Sequence, residues 1–172
     1  MELWDIYDKD RVLSGKTMIR GADFALGDYH LAIHICLFNP NGQMLIQQRQ
    51  PFKDGWPNLW DFTAAGSAVA GDSSGAAAER ELMEEIGFHY DFSLIRPQFT
   101  INYEFGFDDY YLIHAEPDLS SLTLQPEEVQ CVKWAEKAEI KEMIRAGSFI
   151  PYYEDLVDLC FSMRGKYGSH VV

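Results

Sequence analysis

Apolar residues first gather without interruption in His30-Leu31-Ala32-Ile33-His34-Ile35-Cys36-Leu37-Phe38, a β-favouring run that reads as a strand. Asn39-Pro40-Asn41-Gly42 is a turn signal, so residues 43–49 read as the return strand of a hairpin. A loop rich in Pro, Gly and Trp occupies residues 51–59. Residues 61–65 then read as a short strand entering a glycine-punctuated loop from Gly66 to Gly71. From Ser73 the chain turns to Ala, Glu, Arg, Leu and Met, which predicts a helix ended by Gly87. Further strands are expected near residues 98–105, 109–115 and 128–134, and helices near 137–146 and 152–163. The first 29 residues mix charges with scattered apolar positions and predict short strands or an arm lying on the domain. Strands before, between and after a central helix predict a mixed α/β architecture. A single domain over residues 1–172 is expected, with its core in 30–163.

Composition narrows the class. The 172 residues, 47% hydrophobic and 24% charged, suit a globular chain and exclude a disordered segment, a collagen-like repeat and a coiled coil. No apolar run approaches the roughly 18 residues of a membrane span. The start, Met1-Glu2-Leu3-Trp4-Asp5, lacks the basic-then-apolar order of a secretory signal. Lys and Arg number 14 against 27 Asp and Glu, a formal charge of −13. Such a surface repels nucleic-acid backbones and anionic membranes, so neither is expected as a partner. A polyanionic small molecule would arrive with a divalent cation. Cys36, Cys131 and Cys160 lie far apart in apolar surroundings, which predicts reduced, buried thiols in the cytoplasm. A homodimer is compatible with all of this.

The densest chemistry lies in Arg80-Glu81-Leu82-Met83-Glu84-Glu85-Ile86-Gly87. On a helix, Glu81, Glu84 and Glu85 share one narrow sector, while Ala78, Leu82 and Ile86 occupy an adjoining one that would face the core. The carboxylates are thus expected at the edge of a buried stripe. A solvated acidic face is the plain alternative. Oxygen clusters of this kind suit Mg²⁺ or Mn²⁺, which keep waters and bridge to substrate phosphates. Asp72 or Ser73 can cap the helix, and Arg80 can hold a carboxylate by a two-point hydrogen bond.

The segment Gly66-x5-Asp72-x7-Arg80-Glu81-Leu82-x-Glu84-Glu85-x-Gly87-Phe88 resembles the Nudix box, with nine fixed positions across 23 residues. One position departs, since the family usually has Glu where this chain has Asp72. The resemblance implies a Nudix-type α/β/α sandwich around a mixed β-sheet and a hydrolase for the diphosphate linkage of a nucleoside diphosphate joined to another group, or of a related organic diphosphate. It also implies that Glu81, Glu84 and Glu85 ligate Mg²⁺, with Mn²⁺ as a substitute, and that Arg80 and Gly66 belong to the site. The family often borrows a carboxylate from a later loop; Glu127 and Glu128 are the first candidates, then Asp108 and Asp109. Glu81 and Glu128 compete as acceptor of the water's proton. Arg49, which ends a strand in an acidic chain, is the candidate contact to a substrate phosphate, with a surface ion pair as its alternative.

The pattern Tyr29-His30-Leu31-Ala32, Phe38-Asn39-x-x-Gly42, Leu45-Ile46-x-x-Arg49 and Trp56-Pro57-x-x-Trp60 is similar to isopentenyl diphosphate isomerases and the hydrolases grouped with them. Those isomerases use a cysteine and a metal-binding histidine where this chain has Ala65 and Ser67, so isomerase chemistry is not expected. His30 matches a ligand position without its usual partner and is expected to be a satisfied strand-end histidine. A non-catalytic nucleotide-binding module is the remaining alternative, and the complete set of Arg80 and three glutamates argues against it.

Overall fold

The run from His30 to Phe38 sends Leu31, Ile33, Ile35 and Leu37 to one face and Cys36 and Phe38 to the other, and all six are buried. A strand buried on both faces needs a covering layer on each. The computed structural model describes residues 2–171 and supplies those layers. In chain order the elements are β1 (Leu3–Tyr7), β2 (Leu13–Ile19), β3 (His30–Phe38), β4 (Met44–Arg49), β5 (Trp60–Asp61), β6 (Ala64–Ser67), α1 (Ser74–Ile86), β7 (Phe99–Tyr103), β8 (Gly106–His114), β9 (Val129–Ala135), α2 (Lys137–Arg145) and α3 (Glu154–Met163). α1 packs Ala77, Ala78, Leu82 and Ile86 on the odd-numbered face of β3. α2 and α3 close the other face with Ile140, Val157, Cys160 and Phe161. The result is an α/β/α sandwich.

β3 is the central strand. It runs parallel to β8 over its whole length, from His30 opposite Gly106 to Phe38 opposite His114, and antiparallel to β6 on its other edge. The turn at Asn39–Gly42 forms as expected, yet β3 and β4 share only the pair Phe38–Met44. β6 and β8 already fill both edges of β3, so β4 diverges and pairs with β9 and β5 instead.

Residues 61–65 do not form one strand. Thr63 accepts from the Leu37 N–H at 2.9 Å and donates to the Leu45 carbonyl at 2.6 Å, which separates β5 from β6. Gly66 and Ser67, expected in a loop, belong to β6 opposite Ile33 and Ala32. The first residues fold as the hairpin β1–β2, tied to the domain by Tyr7–Tyr29 backbone bonds and by Ala70 N–H to Leu3 carbonyl at 2.8 Å. Ser73, not Asp72, caps α1, accepting from the Ala76 N–H at 3.2 Å, and Gly87 ends the helix in the left-handed region at φ 69°. Cys36 and Cys160 are buried, Cys131 is half-buried, and all three are free thiols. No helix among the described residues is long and apolar enough to cross a membrane.

Candidate active site

The helical spacing of the three glutamates produces three different environments. Glu85, one turn after Glu81, is 4% exposed and points against β4 and β6. Its Oε2 accepts from the Gln47 amide at 2.8 Å and from the Ala65 N–H at 3.3 Å. Burial, with the Glu81 charge added to it, pushes its carboxyl well above the usual range, against the pull of those two donors. Glu81 is largely buried, and burial raises its carboxyl against the attraction of Arg80. Glu84 has a side chain 53% exposed.

Arg80 organises this face. Its Nη1 donates to Glu81 Oε1 at 2.8 Å and to Glu84 Oε2 at 3.2 Å, its Nη2 donates to the Ser67 carbonyl at 3.0 Å, and its Nε donates to Asp72 at 3.2 Å. Asp72 is therefore a brace for Arg80, a role its shorter side chain fills. Gly66 lies directly against Glu81: a Cβ there would meet the carboxylate atoms at 2.2–2.5 Å. Among the described residues no three His, Cys, Asp or Glu side chains converge as they stand into a cation site. Arg80 draws Glu81 and Glu84 towards itself, while Gln47 and Ala65 hold Glu85. The donor set nonetheless fits a hard divalent cation. It is all carboxylate oxygen, and Glu85 is a buried acid with no cationic partner.

Ala65, Gly66 and Ser67 also line a cleft of about 400 Å³ whose other walls include Ala32, His34, Arg49, Trp56, Asp61 and Tyr152. Arg49 thus reaches the cleft that the carboxylate face borders. Its side chain is mostly buried, its Nε donates to the Gly55 carbonyl at 3.2 Å, and its Nη1 lies 3.7 Å from Asp61. Asp61, His34, Tyr152 and Gln47 carry functional groups here that the sequence reading did not single out. Two signals were available. Gln47 shares strand parity with buried Leu45, which places an amide inside, and Asp61 is a lone acid between Trp60 and Phe62.

The other expected acids lie in separate settings. Glu128 is paired with Lys53, and neither it nor exposed Glu127 lines the cleft. Asp108 faces His34 Nε2 at 3.6 Å. Asp109 is fully buried and held by Arg11, Thr100 and Ser74. His30 stacks on Trp4 at 4.4 Å, approaches the Tyr103 hydroxyl at 3.0 Å and Ser67 Oγ at 3.4 Å, and is held below its ordinary pKa by burial.

Comparison with known proteins bears on the family and the fold. Residues 28–153 match the NUDIX domain family. The chain is 50% identical over 153 residues to an uncharacterised Nudix hydrolase of Listeria monocytogenes, covering 89% of this chain and 90% of that one. It is 28% identical over 163 residues to an isopentenyl-diphosphate Delta-isomerase of Streptomyces coelicolor, covering 91% and 82%. To a prenyl-diphosphate phosphatase of Methanosarcina mazei it is 29% identical over 128 residues, covering 71% and 74%. Its fold superposes on a crystal structure of a Deinococcus radiodurans protein with a TM-score of 0.73, at 23% identity over 92% of this chain and 97% of that one.

Proposed function

Because the chain belongs to the Nudix hydrolases, enzymes of diphosphate-containing compounds, we propose that it cleaves the diphosphate linkage of a small organic diphosphate with Mg²⁺, or Mn²⁺ in its place, held by Glu81, Glu84 and Glu85. The observation that carries this reading is the buried Glu85 carboxylate, which shares a helix face with Glu81 beside the cleft and has only amide donors. A bound divalent ion supplies charge neutralisation and a more acidic water. The remaining work falls to the chain's own groups. Arg80 fixes the direction of Glu81, and Gly66 leaves the space that Glu81 occupies. Arg49 binds a substrate phosphate across the cleft. Glu81 accepts the water's proton; the pairing of Glu128 with Lys53 supports Glu81 over Glu128 for that role. Trp56, Ile150 and Pro151 offer apolar surface to the organic group. We place the activity in the cytoplasm, where three free thiols persist.

Isomerisation of an isopentenyl-type substrate finds no support in the side chains. Ala65 and Ser67 bring neither thiol nor imidazole to the strand edge, and His30 is occupied by its stack and hydroxyl contacts. The test is phosphate release from a panel of nucleoside diphosphate derivatives and prenyl diphosphates, with and without Mg²⁺. Release that requires the metal is expected, with no interconversion of isopentenyl and dimethylallyl diphosphate. Full activity after exhaustive chelation, or none on any diphosphate, would overturn the reading.

A further inference from the structure

We propose that Asp61 is a positioning residue, whose buried carboxylate aims the Arg49 guanidinium at a substrate phosphate without capturing it; this rests on the reading of the cleft as a diphosphate site. Asp61 is 2% exposed and lies among aromatic groups, with Phe62 and Tyr152 stacked at 4.5 Å beside it. Burying a carboxylate in such a place is unfavourable unless its charge is used. One oxygen is fully engaged: Oδ1 accepts from the Tyr152 hydroxyl at 2.9 Å and from the Phe62 N–H at 2.8 Å. The other, Oδ2, has Arg49 Nη1 at 3.7 Å, outside hydrogen-bond range but well within Coulombic reach.

That distance separates Arg49 from the chain's braced arginines. Arg80 donates to three carboxylates at 2.8–3.2 Å, and Arg11 grips Asp109 through both Nη atoms. Arg49 is held instead at its Nε by the Gly55 carbonyl and drawn by the Asp61 charge, so its Nη groups stay available to a ligand in the cleft. Burial raises the Asp61 carboxyl, and its neighbours, the Arg49 guanidinium among them, oppose only part of that rise. Tyr152, from the segment preceding α3, makes the C-terminal part of the chain a support for the same contact.

The test is calorimetric binding of inorganic pyrophosphate, with Mg²⁺ present, to wild type, Asp61→Asn, Arg49→Gln and the double variant. Asn keeps the carbonyl acceptor for Tyr152 and Phe62 and turns an uncharged NH2 group, itself a donor, towards Arg49. Asp61→Asn is expected to bind about tenfold more weakly. In the Arg49→Gln background the same change should alter affinity by less than about twofold, because its target is gone. The Asp61→Asn protein should melt at or above the wild-type temperature, since a buried charge has been removed. With any substrate that turns over, KM should rise while kcat holds. Tyr152→Phe, which loosens Asp61 without removing it, should weaken pyrophosphate binding about threefold, and it decides the matter if Asp61→Asn does not fold. Unchanged affinity in Asp61→Asn, fully additive effects, or no pyrophosphate binding by wild type would overturn the proposal. Wild type that binds pyrophosphate yet hydrolyses no organic diphosphate would overturn the hydrolase reading alone, and the binding series would still decide Asp61.

Discussion

Two arginine–carboxylate networks grip α1, one at its first residue and one centred on Arg80 at its middle, and they are built on opposite principles. At the N-terminal end, Asp109 accepts from Arg11, from Thr100 at 2.6 Å and from Ser74, while Tyr111 donates to Ser74 at 2.8 Å. One carboxylate meets one guanidinium, the acceptors are filled, and the network joins the β1–β2 turn, β7, β8 and α1. Further along the helix, Arg80 is shared by Asp72, Glu81 and Glu84, and the buried Glu85 has no cation at all. The first arrangement neutralises charge and locks the fold. The second gathers more carboxylates than cations in a partly dry place, an arrangement we expect to cost stability and to receive a cation. Equal residue types therefore say little; the ratio of carboxylates to donors separates a strut from a site.

Removing either network should expose this difference, most strongly at the strut. Asp109→Ala strips Arg11, Thr100 and Ser74 of their common acceptor, and the folding free energy should fall by roughly 3 kcal/mol. Denaturant titration reads that loss, and hydrolysis per folded molecule should be retained. Glu85→Gln should do the reverse. We expect kcat to fall at least ~10²-fold, about 2.7 kcal/mol of barrier, because the ligand proposed for the metal loses its charge.

A smaller effect is expected at Gly66. Its substitution by Ala would force the flexible end of Glu81 to move away from a Cβ only 2.2 Å from its carboxyl carbon. Activity should drop about tenfold with the melting temperature nearly kept, since β6 pairing is unaffected. Unchanged activity would mean that the position of Glu81 is irrelevant to turnover.

The smallest effect concerns His30. Its folded pKa lies below its ordinary value, so the unfolded chain takes up the proton more readily. The stability this group contributes is complete above about pH 6.5 and is lost as pH falls from there towards the lower folded value. Phe at position 30 keeps the stack on Trp4 and Phe24 and cannot titrate. Chemical denaturation at pH 7 and at pH 5.5 should therefore show a smaller loss in His30→Phe than in wild type. An equal loss would remove His30 from the group of satisfied, purely structural polar residues.

The carboxylate face was legible in the sequence because a helix makes it local: the i, i+3 and i+4 spacing alone gathers Glu81, Glu84 and Glu85 beside the stripe of Ala78, Leu82 and Ile86. The mixed α/β class was equally readable from the order of strands and helices, whereas the α/β/α layering came from the family resemblance. Of the opposite wall only Arg49 was singled out; Asp61 and Tyr152 were not, since they come from β5 and the segment before α3 and only tertiary pairing brings them beside β4. Competition between neighbours was also hidden. The hairpin at Asn39–Gly42 opens after one pair because β6 and β8 occupy β3 first. Glu128 and Asp109, both candidates for the site, are taken by Lys53 and Arg11, partners 75 and 98 residues away.

The central claim is that the α1 carboxylates form a cation site maintained at a cost to the metal-free fold. The most direct measurement is the melting temperature of wild type and Glu85→Gln, each in chelator and in Mg²⁺. Relief of the repulsion from Glu81, and of a buried acid without a cation, should let the metal-free variant melt at or above wild type. Mg²⁺ should then raise the melting temperature of wild type more than that of the variant, because only the native site binds it well. A variant that unfolds at lower temperature, gains as much from Mg²⁺ as wild type and keeps its specific activity would make Glu85 a structural residue and contradict the account.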